Sequence, residues 1–178
     1  MTDDAPRAGW FPGLVHVPSP NFDARPPGTT IDLLVIHAIS LPAGRYGGPW
    51  IRDLFLNRLN HAADPSFDGL KGLRVSAHFL IRRDGATQQF VSIDERAWHA
   101  GVSSHRGRTA CNDFSIGIEL EGCDEEPFTD AQYAGLSALT RGIQQACPAI
   151  TRDAIVGHSD IAPGRKTDPG PHFDWPQY

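Results

Sequence analysis

A short aliphatic run at residues 31–37, with the sequence IDLLVIH, constrains the fold of this chain more than any other segment. A strand with apolar side chains at nearly every position is typical of the centre of a sheet that is covered on both faces. We therefore predict a central strand over residues 31–37, which ends at His37 and enters a loop rich in glycine and proline. A covered sheet needs helices on its faces, which favours an α/β fold.

The remaining segments fit one mixed domain. Residues 114–121 (FSIGIELE) alternate between apolar positions and polar or small ones, as a strand does. A capping box that begins at Thr129 predicts the start of a helix that Pro148 ends. The other predicted elements are a helix over 50–59, a hairpin of strands 75–82 and 87–93, and a brief strand within 155–160. We interpret residues 1–178 as a single α/β domain, with a mixed central β-sheet flanked by helices and an irregular lead-in at 1–29.

The charge and hydropathy of the chain exclude two classes of partner. Its 16 basic residues face 21 acidic ones, for a net charge of −5, whereas general nucleic-acid affinity depends on clustered positive charge. The longest unbroken aliphatic stretch, residues 33–36, is far too short to cross a bilayer. We therefore expect no nucleic-acid partner and no membrane partner.

The cysteines and the first residues favour a reducing compartment. Three cysteines, at positions 111, 123 and 147, form no CxxC pair, and their odd number favours reduced thiols. Cys111 and Cys123 flank the predicted strand segment 114–120, whose seven residues would extend about 23 Å, too far for a disulfide unless the segment folds back. The opening segment MTDDAPRAGW lacks the apolar core of a secretory signal. We expect a cytoplasmic location.

Two histidines and one aspartate form a candidate metal-binding set. His37 follows the predicted central strand, His158 follows the segment IVG, and Asp168 lies ten residues later in RKTDPG. Two imidazoles and a carboxylate can hold zinc and leave a fourth tetrahedral position for water. The spacing matches no local zinc motif, and a histidine at a strand end often bonds to a backbone carbonyl instead. The residues alone leave both interpretations open.

Glu119 and Lys166 are candidates for catalytic roles. Glu119 belongs to the polar face of the strand at 114–121, and the nearby Gly117 would let another group approach closely. That face could simply be exposed to solvent, whereas a buried carboxylate there would need a metal, a catalytic role or a partner. Lys166 lies two residues before Asp168, where an ammonium could stabilise an oxyanion or simply be solvated.

Five segments carry a resemblance to a known family. They are LLVIHAISLPAGRYGGPWI, LRVSAHFLIRRDG, RAWHAGVS, CNDFSIGIELEG and GHSDIAPGRKTDPGPHFDW, within a match that runs from about Gly9 to Trp175. In this order they resemble the zinc-dependent N-acetylmuramoyl-L-alanine amidases of type 2, a superfamily that includes phage lysozyme-type amidases and peptidoglycan recognition proteins. The segments RKTDPG and AWHAGVS resemble its cytoplasmic branch, the 1,6-anhydro-N-acetylmuramoyl-L-alanine amidases of peptidoglycan recycling.

This resemblance implies a role for each candidate residue. It assigns one Zn²⁺ per chain to His37, His158 and Asp168. It makes Glu119 the catalytic carboxylate and Lys166 the cation that stabilises the oxyanion. The implied reaction is hydrolysis of the amide bond between the lactyl group of 1,6-anhydro-N-acetylmuramic acid and the L-alanine of the stem peptide. The implied partner is a small muropeptide, bound by a monomer with the amidase type 2 fold.

Substrate contacts are also implied by the resemblance. Trp98 and His99 correspond to a cleft wall that contacts the sugar, and Arg74 corresponds to an arginine that contacts the peptide. A second family arginine falls on Ala110 here, and we expect Arg108 to reach the substrate carboxylate in its place.

Other positions in the same segments depart from the family pattern or have no expected role. The asparagine that usually follows the first ligand histidine is Ala38 here, a change that bears on substrate contacts more than on catalysis. Arg82 and Arg83 are expected to lie on a solvated strand face.

Two alternative functions share the same fold. A non-catalytic peptidoglycan-binding module would commonly lack a metal ligand, whereas all of the candidate ligands and catalytic residues are present here. An amidase that acts on polymeric peptidoglycan, of phage or periplasmic type, would share these residues but not the segments typical of the recycling branch. Reduced cysteines weigh against a periplasmic enzyme.

Overall fold

The computed structural model describes residues 8–178. This part of the chain contains ten strands and three α-helices, joined by loops and turns. The strands are β1 (Val15–His16), β2 (Phe22–Ala24), β3 (Leu33–Ile39), β4 (Phe79–Ile81), β5 (Thr87–Gln89), β6 (Glu95–Ala97), β7 (Ser104–His105), β8 (Arg108–Thr109), β9 (Ser115–Glu121) and β10 (Ile155–Gly157). The α-helices are α1 (Trp50–Phe55), α2 (Asp130–Ala146) and α3 (His158–Ile161), and 3₁₀ turns occupy Pro65–Leu70, Cys111–Asp113 and Arg152–Ala154.

Six of the strands form one mixed sheet in the order β1-β5-β4-β9-β3-β10. Strands β4 and β5 pair antiparallel, and the other neighbours in this sheet run parallel. The aliphatic run is strand β3, which lies between β9 and β10 with Leu33 to Ile36 fully buried. The predicted α/β fold with a mixed central sheet is therefore confirmed.

Side-chain alternation along β3 and β9 gives the sheet two different faces. On one face, Leu34 and Ile36 of β3 belong to the same apolar cluster as the buried side chains of α2. On the other face, Val35 packs with Ile161 of α3, and His37 is the next side chain along. The part of β9 on this second face consists of four residues that are all buried: Ser115, Gly117, Glu119 and Glu121. The polar face of β9 is therefore covered rather than solvated.

Helix α2 begins where its capping box predicts. The hydroxyl oxygen of Thr129 accepts the N–H of Gln132 at 3.1 Å, and the Gln132 side-chain oxygen accepts the N–H of Thr129 at 3.1 Å. The Gln132 amide also donates to the carbonyl of Glu121 at 2.9 Å, which ties the helix start to the end of β9. The predicted helix is thus confirmed over Asp130–Ala146. Within residues 8–178 no helix, α2 included, is long and apolar enough to cross a membrane.

Several predicted boundaries are wrong, and for the strands the reason is that pairing partners, not local sequence, determine where each one ends. Strand β3 continues past His37 to Ile39, since all seven of its residues pair with β9. The helix expected over 50–59 ends at Phe55, and the two hairpin strands are three residues long each. His158 opens a helix instead of continuing a strand.

The lead-in at 1–29, expected to be irregular, contributes two short strands. Strand β1 pairs in parallel with β5, and β2 pairs antiparallel with β6. The expectation is wrong over these five residues because both strands are held by distant partners, while their own sequences, VH and FDA, are too short to show a period. Residues 1–7 of this segment lie outside the described part of the chain.

Candidate metal centre and active site

The structure brings His37, His158 and Asp168 together. The Nδ1 atoms of His37 and His158 are 2.9 Å apart. The Oδ2 atom of Asp168 lies 3.1 Å from the first of these nitrogens and 3.0 Å from the second. Both histidines are almost completely buried, at 1% and 2% exposure, while the Asp168 side chain is 15% exposed. Three ligand-type atoms thus converge at a point that is open on one side.

Close backbone packing holds the Asp168 loop against α3. The N–H of Ser159 donates to the Asp168 carbonyl at 2.9 Å. A Cβ atom at Gly157 would lie only 2.8 Å from Cδ of Pro169, so the missing side chain at this position lets the loop approach. The two ends of the segment from His158 to Asp168 are therefore fixed relative to each other.

The geometry and chemistry of these three atoms fit a zinc ion. Ligand atoms around tetrahedral zinc, with bonds of about 2.0–2.1 Å, stand about 3.3 Å apart, which is close to the three separations in this structure. The outer nitrogen of each imidazole is already engaged, because Nε2 of His158 lies 3.0 Å from the Ala100 carbonyl and Nε2 of His37 lies 2.9 Å from Nδ1 of His99. Each inner Nδ1 is therefore the atom available to a metal.

Glu119 lies next to this group on the covered face of the sheet. It is the residue of β9 that pairs with His37 of β3, and it is only 9% exposed. Its Oε2 atom is buried and has no hydrogen-bond partner among the described residues. Burial raises the pKa of Glu119 well above its usual range, the charge of Asp168 raises it further, and the ammonium of Lys166 lowers it. A buried, unpartnered carboxylate is expected at a functional site.

The short distances from Asp168 to the two histidines also affect the pKa values of Asp168 and His37. Burial would raise the pKa of Asp168, but its hydrogen bonds with His158 and His37 outweigh that effect and hold the pKa well below its usual range. Burial lowers the pKa of His37 to about 4, despite its hydrogen bond with Asp168. Asp168 is therefore ionised and His37 neutral at physiological pH, the protonation states that metal ligation needs.

Lys166 lies on an open cleft beside the three ligand atoms. The cleft has a volume of about 390 Å³, and its walls include Asp168 and Lys166. The Lys166 ammonium is near enough to lower the pKa of both Glu119 and His37. Ala38, where the family pattern has asparagine, lines the same cleft. The open side of the candidate metal centre thus faces a space that a substrate could enter.

Trp98 and His99, predicted as a cleft wall, are both held by contacts within the protein. The indole N–H of Trp98 donates to the Asp23 carboxylate at 3.1 Å. The His99 ring contacts His37 through Nδ1 and lies 3.3 Å from the Ser115 hydroxyl through Nε2. A Cβ atom at Gly117 would lie 2.5 Å from this ring, so His99 is the group that the glycine lets approach.

The two predicted substrate arginines lie on other surfaces. Arg74 lines a cleft of about 200 Å³ whose other walls include Leu54 of α1 and Leu70. Arg108 donates to Asp32 at 2.8 Å and lies over the Phe114 ring at 3.8 Å. Asp32 precedes β3, whereas His37 lies five residues further along, about 16 Å away in an extended strand. The substrate-binding roles of both arginines stay predictions.

The sequence suggests that Arg82 and Arg83 lie on a solvated strand face, but the structure places both side chains against other parts of the protein. Arg82 is 15% exposed and donates to Glu121, a carboxylate that is 2% exposed, at 2.8 Å. Arg83 donates to the Pro127 carbonyl at 3.0 Å. The expectation is wrong because β9 supplies a second buried carboxylate that needs a cation beside it.

One residue that sequence reasoning missed is Asn112. Its side-chain oxygen accepts the backbone N–H groups of His99 at 3.1 Å and Ala100 at 2.8 Å. These partners lie 13 and 12 residues away along the chain, so no local pattern marks the contact. Asn112 fixes the backbone of the segment that meets both histidine ligands.

Comparison with known proteins identifies the family to which this chain is similar. Residues 27–171 match the family model described as N-acetylmuramoyl-L-alanine amidase, Amidase_2. The chain is 56% identical over 170 residues to the 1,6-anhydro-N-acetylmuramyl-L-alanine amidase AmpD of Escherichia coli strain K12, which covers 96% of this chain and 92% of that protein.

Solved structures show the same likeness in three dimensions. The crystal structure of a Se-Met AmpD derivative is similar with a TM-score of 0.93 and 55% identity, over 96% of this chain and 95% of that one. The Escherichia coli amidase AmiD, in complex with the substrate anhydro-N-acetylmuramic acid-L-Ala-D-gamma-Glu-L-Lys, is similar with a TM-score of 0.62 and 33% identity, over 86% of this chain and 58% of that one.

Proposed function

Because the chain belongs to the N-acetylmuramoyl-L-alanine amidase family, we propose that it hydrolyses the amide bond between 1,6-anhydro-N-acetylmuramic acid and L-alanine in muropeptides. One observation carries the proposal: two Nδ1 atoms and one carboxylate oxygen converge beside the buried, unpartnered Oε2 of Glu119. A metal-assisted hydrolase needs this combination of a three-ligand site and an adjacent base. The curated relatives at more than 50% identity carry the same activity in their names.

We infer that the bound ion is one Zn²⁺ per chain, held by His37, His158 and Asp168. When bound, zinc lowers the pKa of a coordinated water toward about 7 and polarises the substrate carbonyl. Two neutral imidazoles and one carboxylate are a common ligand set for such a catalytic ion.

Glu119 moves the proton in the proposed reaction. Its carboxylate takes a proton from the attacking water, whose oxygen forms a bond to the lactyl carbonyl carbon. The same proton then passes to the L-alanine nitrogen as the carbon–nitrogen bond breaks, so that one water is consumed and two products leave. Burial suits Glu119 to this role, because a raised pKa makes its carboxylate a stronger proton acceptor.

Lys166 supports the developing negative charge on the carbonyl oxygen. Its ammonium lies on the open cleft and is close enough to act on the pKa of Glu119. A donor of this kind is typically worth about 2.7–4 kcal/mol to the transition state. Lys166 therefore lowers the barrier for the same carbonyl that Glu119 serves.

Mass spectrometry of the reaction products tests the proposal. Purified protein is incubated with soluble anhydromuropeptides and with intact sacculi, each with and without chelator. We expect peptide release from the soluble substrate alone, abolished by chelator and restored by zinc. Release from sacculi would instead favour an amidase on polymeric peptidoglycan, and binding without cleavage in the presence of zinc would favour a non-catalytic module.

We also propose that the enzyme acts in the cytoplasm as a monomer. The three cysteines, one buried and two partly buried, are all free, which suits a reducing compartment. The candidate ligands, the base and the cation all come from one chain, so no second copy is needed to complete the site. Cell fractionation and light scattering at micromolar concentration are the corresponding measurements.

A further inference from the structure

One short segment, residues 98–101, meets the outer nitrogens of both histidine ligands. Nδ1 of His99 lies 2.9 Å from Nε2 of His37, and the Ala100 carbonyl lies 3.0 Å from Nε2 of His158. We propose that His99 is a positioning residue that sets the tautomer and ring orientation of His37 for metal binding. This inference rests on the metal site of the proposed function.

With each Nδ1 turned toward a metal, the hydrogen bonds of the group fit one arrangement of protons. Two groups lie near Nε2 of His158: the Ala100 carbonyl, which can only accept, at 3.0 Å, and the Arg165 guanidinium, which can only donate, at 3.4 Å. The shorter contact places the proton on Nε2 of His158, so that its Nδ1 lone pair faces inward. Ligation by Nδ1 of His37 likewise requires the proton on Nε2, which then donates to the unprotonated Nδ1 of His99. The remaining proton of His99 is on Nε2, where the Ser115 hydroxyl oxygen at 3.3 Å accepts it.

Packing holds the His99 ring in this position. The ring lies where a Cβ atom of Gly117 would be, and its edge faces the His37 ring with centroids 5.0 Å apart. The backbone N–H of His99 is bonded to the Asn112 side chain. The ring therefore cannot turn toward the cleft without breaking contacts on several sides.

This geometry differs from that of a residue whose main task is to contact sugar. Such a residue would present a free polar edge to the cleft, whereas both ring nitrogens of His99 are engaged by His37 and Ser115. The contacts of both ring nitrogens therefore favour a positioning role for His99, and its contact with the substrate stays a prediction.

Zinc affinity measured by competition with a chelating dye tests the proposal. His99→Leu keeps a similar volume but removes the acceptor, and we expect zinc to bind about 10–100-fold more weakly, the usual effect of losing such a partner. His99→Asn places a carbonyl oxygen near the former Nδ1 position and should recover most of the affinity. His16→Leu, at an exposed histidine on β1, is the matched control and should bind zinc like the wild type.

Three outcomes would overturn the role. One is an affinity of H99L within twofold of the wild type, and another is an equal loss in H99L and H99N. The third is a protonated Nδ1 on His99 in the wild-type protein, a measurement that does not depend on whether a variant folds. Nitrogen-15 NMR of the zinc-loaded protein should show a protonated Nε2 on His37, His158 and His99, with a scalar coupling between His37 Nε2 and His99 Nδ1. A protonated Nδ1 on His99 would refute the proposal.

These readouts separate this inference from the proposed function. Zinc affinity and the tautomer signals are measured without muropeptide, so they stand even if amide hydrolysis is absent. Conversely, the protein could show chelator-sensitive amidase activity while H99L binds zinc as tightly as the wild type. That result would support the proposed function and refute the positioning role of His99. A sugar-contacting His99 would raise KM for the muropeptide and leave zinc affinity unchanged.

Discussion

The carboxyl group of Glu119 lies at a place that disfavours a negative charge. The residue is buried on the central sheet beside Asp168, and its Oε2 atom has no partner in the described chain. A second buried carboxylate in the same strand, Glu121, does have hydrogen-bond donors. Arg82 and the N–H of Gly47 both donate to it at 2.8 Å. Of the two buried carboxylates of β9, the one left without donors is the one suited to exchange a proton.

Glu119→Gln should abolish most turnover while keeping the metal. Loss of a general base and acid typically costs 10²–10⁴-fold in rate, and we expect kcat to fall within that range with zinc content unchanged. Product release is followed by mass spectrometry, and zinc by elemental analysis. Glu126→Gln, at a partly exposed carboxylate that pairs with Arg83, is the matched control and should retain full activity. Turnover of E119Q near the wild-type rate would show that another group moves the proton.

The raised pKa of Glu119 also predicts how stability depends on pH. Folding favours its protonated form, so the associated stability is fully present below the unfolded-state pKa of about 4.3 and is lost as pH rises toward the folded-state value. Glu119→Gln removes this loss. Urea denaturation in the presence of chelator should therefore show metal-free E119Q gaining stability over the metal-free wild type as the pH rises above about 4.3. A difference that is independent of pH would mean that the pKa of Glu119 is ordinary.

At the scale of elements, the site depends on how closely strand β9 and segment 98–101 approach each other. Gly117 is the contact point, since any side chain there would overlap the His99 ring. His78 reinforces the same point from within the sheet, because its Nδ1 accepts the N–H of Gly117 at 3.0 Å. A glycine in the middle of a strand weakens that strand, and here the weakness is offset by the packing it permits.

Gly117→Ala should therefore damage both stability and metal binding. Overpacking of this kind typically costs about 1–3 kcal/mol, and displacement of His99 should weaken zinc binding as well. Gly69→Ala is the matched control, because a Cβ atom there meets nothing within 4 Å. We expect its unfolding free energy to stay within about 0.5 kcal/mol of the wild type. Urea denaturation and dye competition measure the two effects, and a G117A protein with wild-type zinc affinity would argue against the close contact.

At the scale of the whole molecule, the candidate metal centre joins distant parts of the chain. His37 and His158 are 121 positions apart, and Asp168 belongs to a loop beyond α3. An unfolded chain cannot hold these ligands together, so a metal that binds there stabilises the folded state by mass action.

Zinc should accordingly raise the thermal stability in a concentration-dependent way. At a free concentration 100-fold above Kd the gain is about 2.7 kcal/mol, which corresponds to roughly 5–11 °C in Tm for a chain of this size. Asp168→Asn removes the charged ligand and should lose most of this shift. Differential scanning calorimetry at several zinc concentrations measures it. An equal shift in D168N and the wild type would place the stabilising zinc elsewhere.

Some parts of the fold and site could be predicted because their causes are local or carried by recognisable segments. The capping box at Thr129 acts over three residues and correctly places the start of α2. The aliphatic run correctly predicts a buried central strand. The ligands and Glu119 were proposed from residue chemistry and family resemblance, and their convergence in the structure supports that proposal.

Other features could not be read from the sequence because they depend on distant neighbours. The true end of β3 depends on pairing with β9, and the short strands of the lead-in depend on β5 and β6. The burial of Arg82 follows from Glu121, which lies 39 positions away. No local period or propensity encodes such contacts.

The sequence by itself determined the α/β class and the central strand, while residue chemistry together with the family resemblance selected the candidate residues for holding a metal and moving a proton. Only the tertiary structure decided that the polar face of β9 is covered, that Oε2 of Glu119 has no hydrogen-bond partner among the described residues, and that His99 contacts His37. The physical reason is the same in each case. Burial and hydrogen-bond partners belong to the folded arrangement of segments that are far apart in the chain.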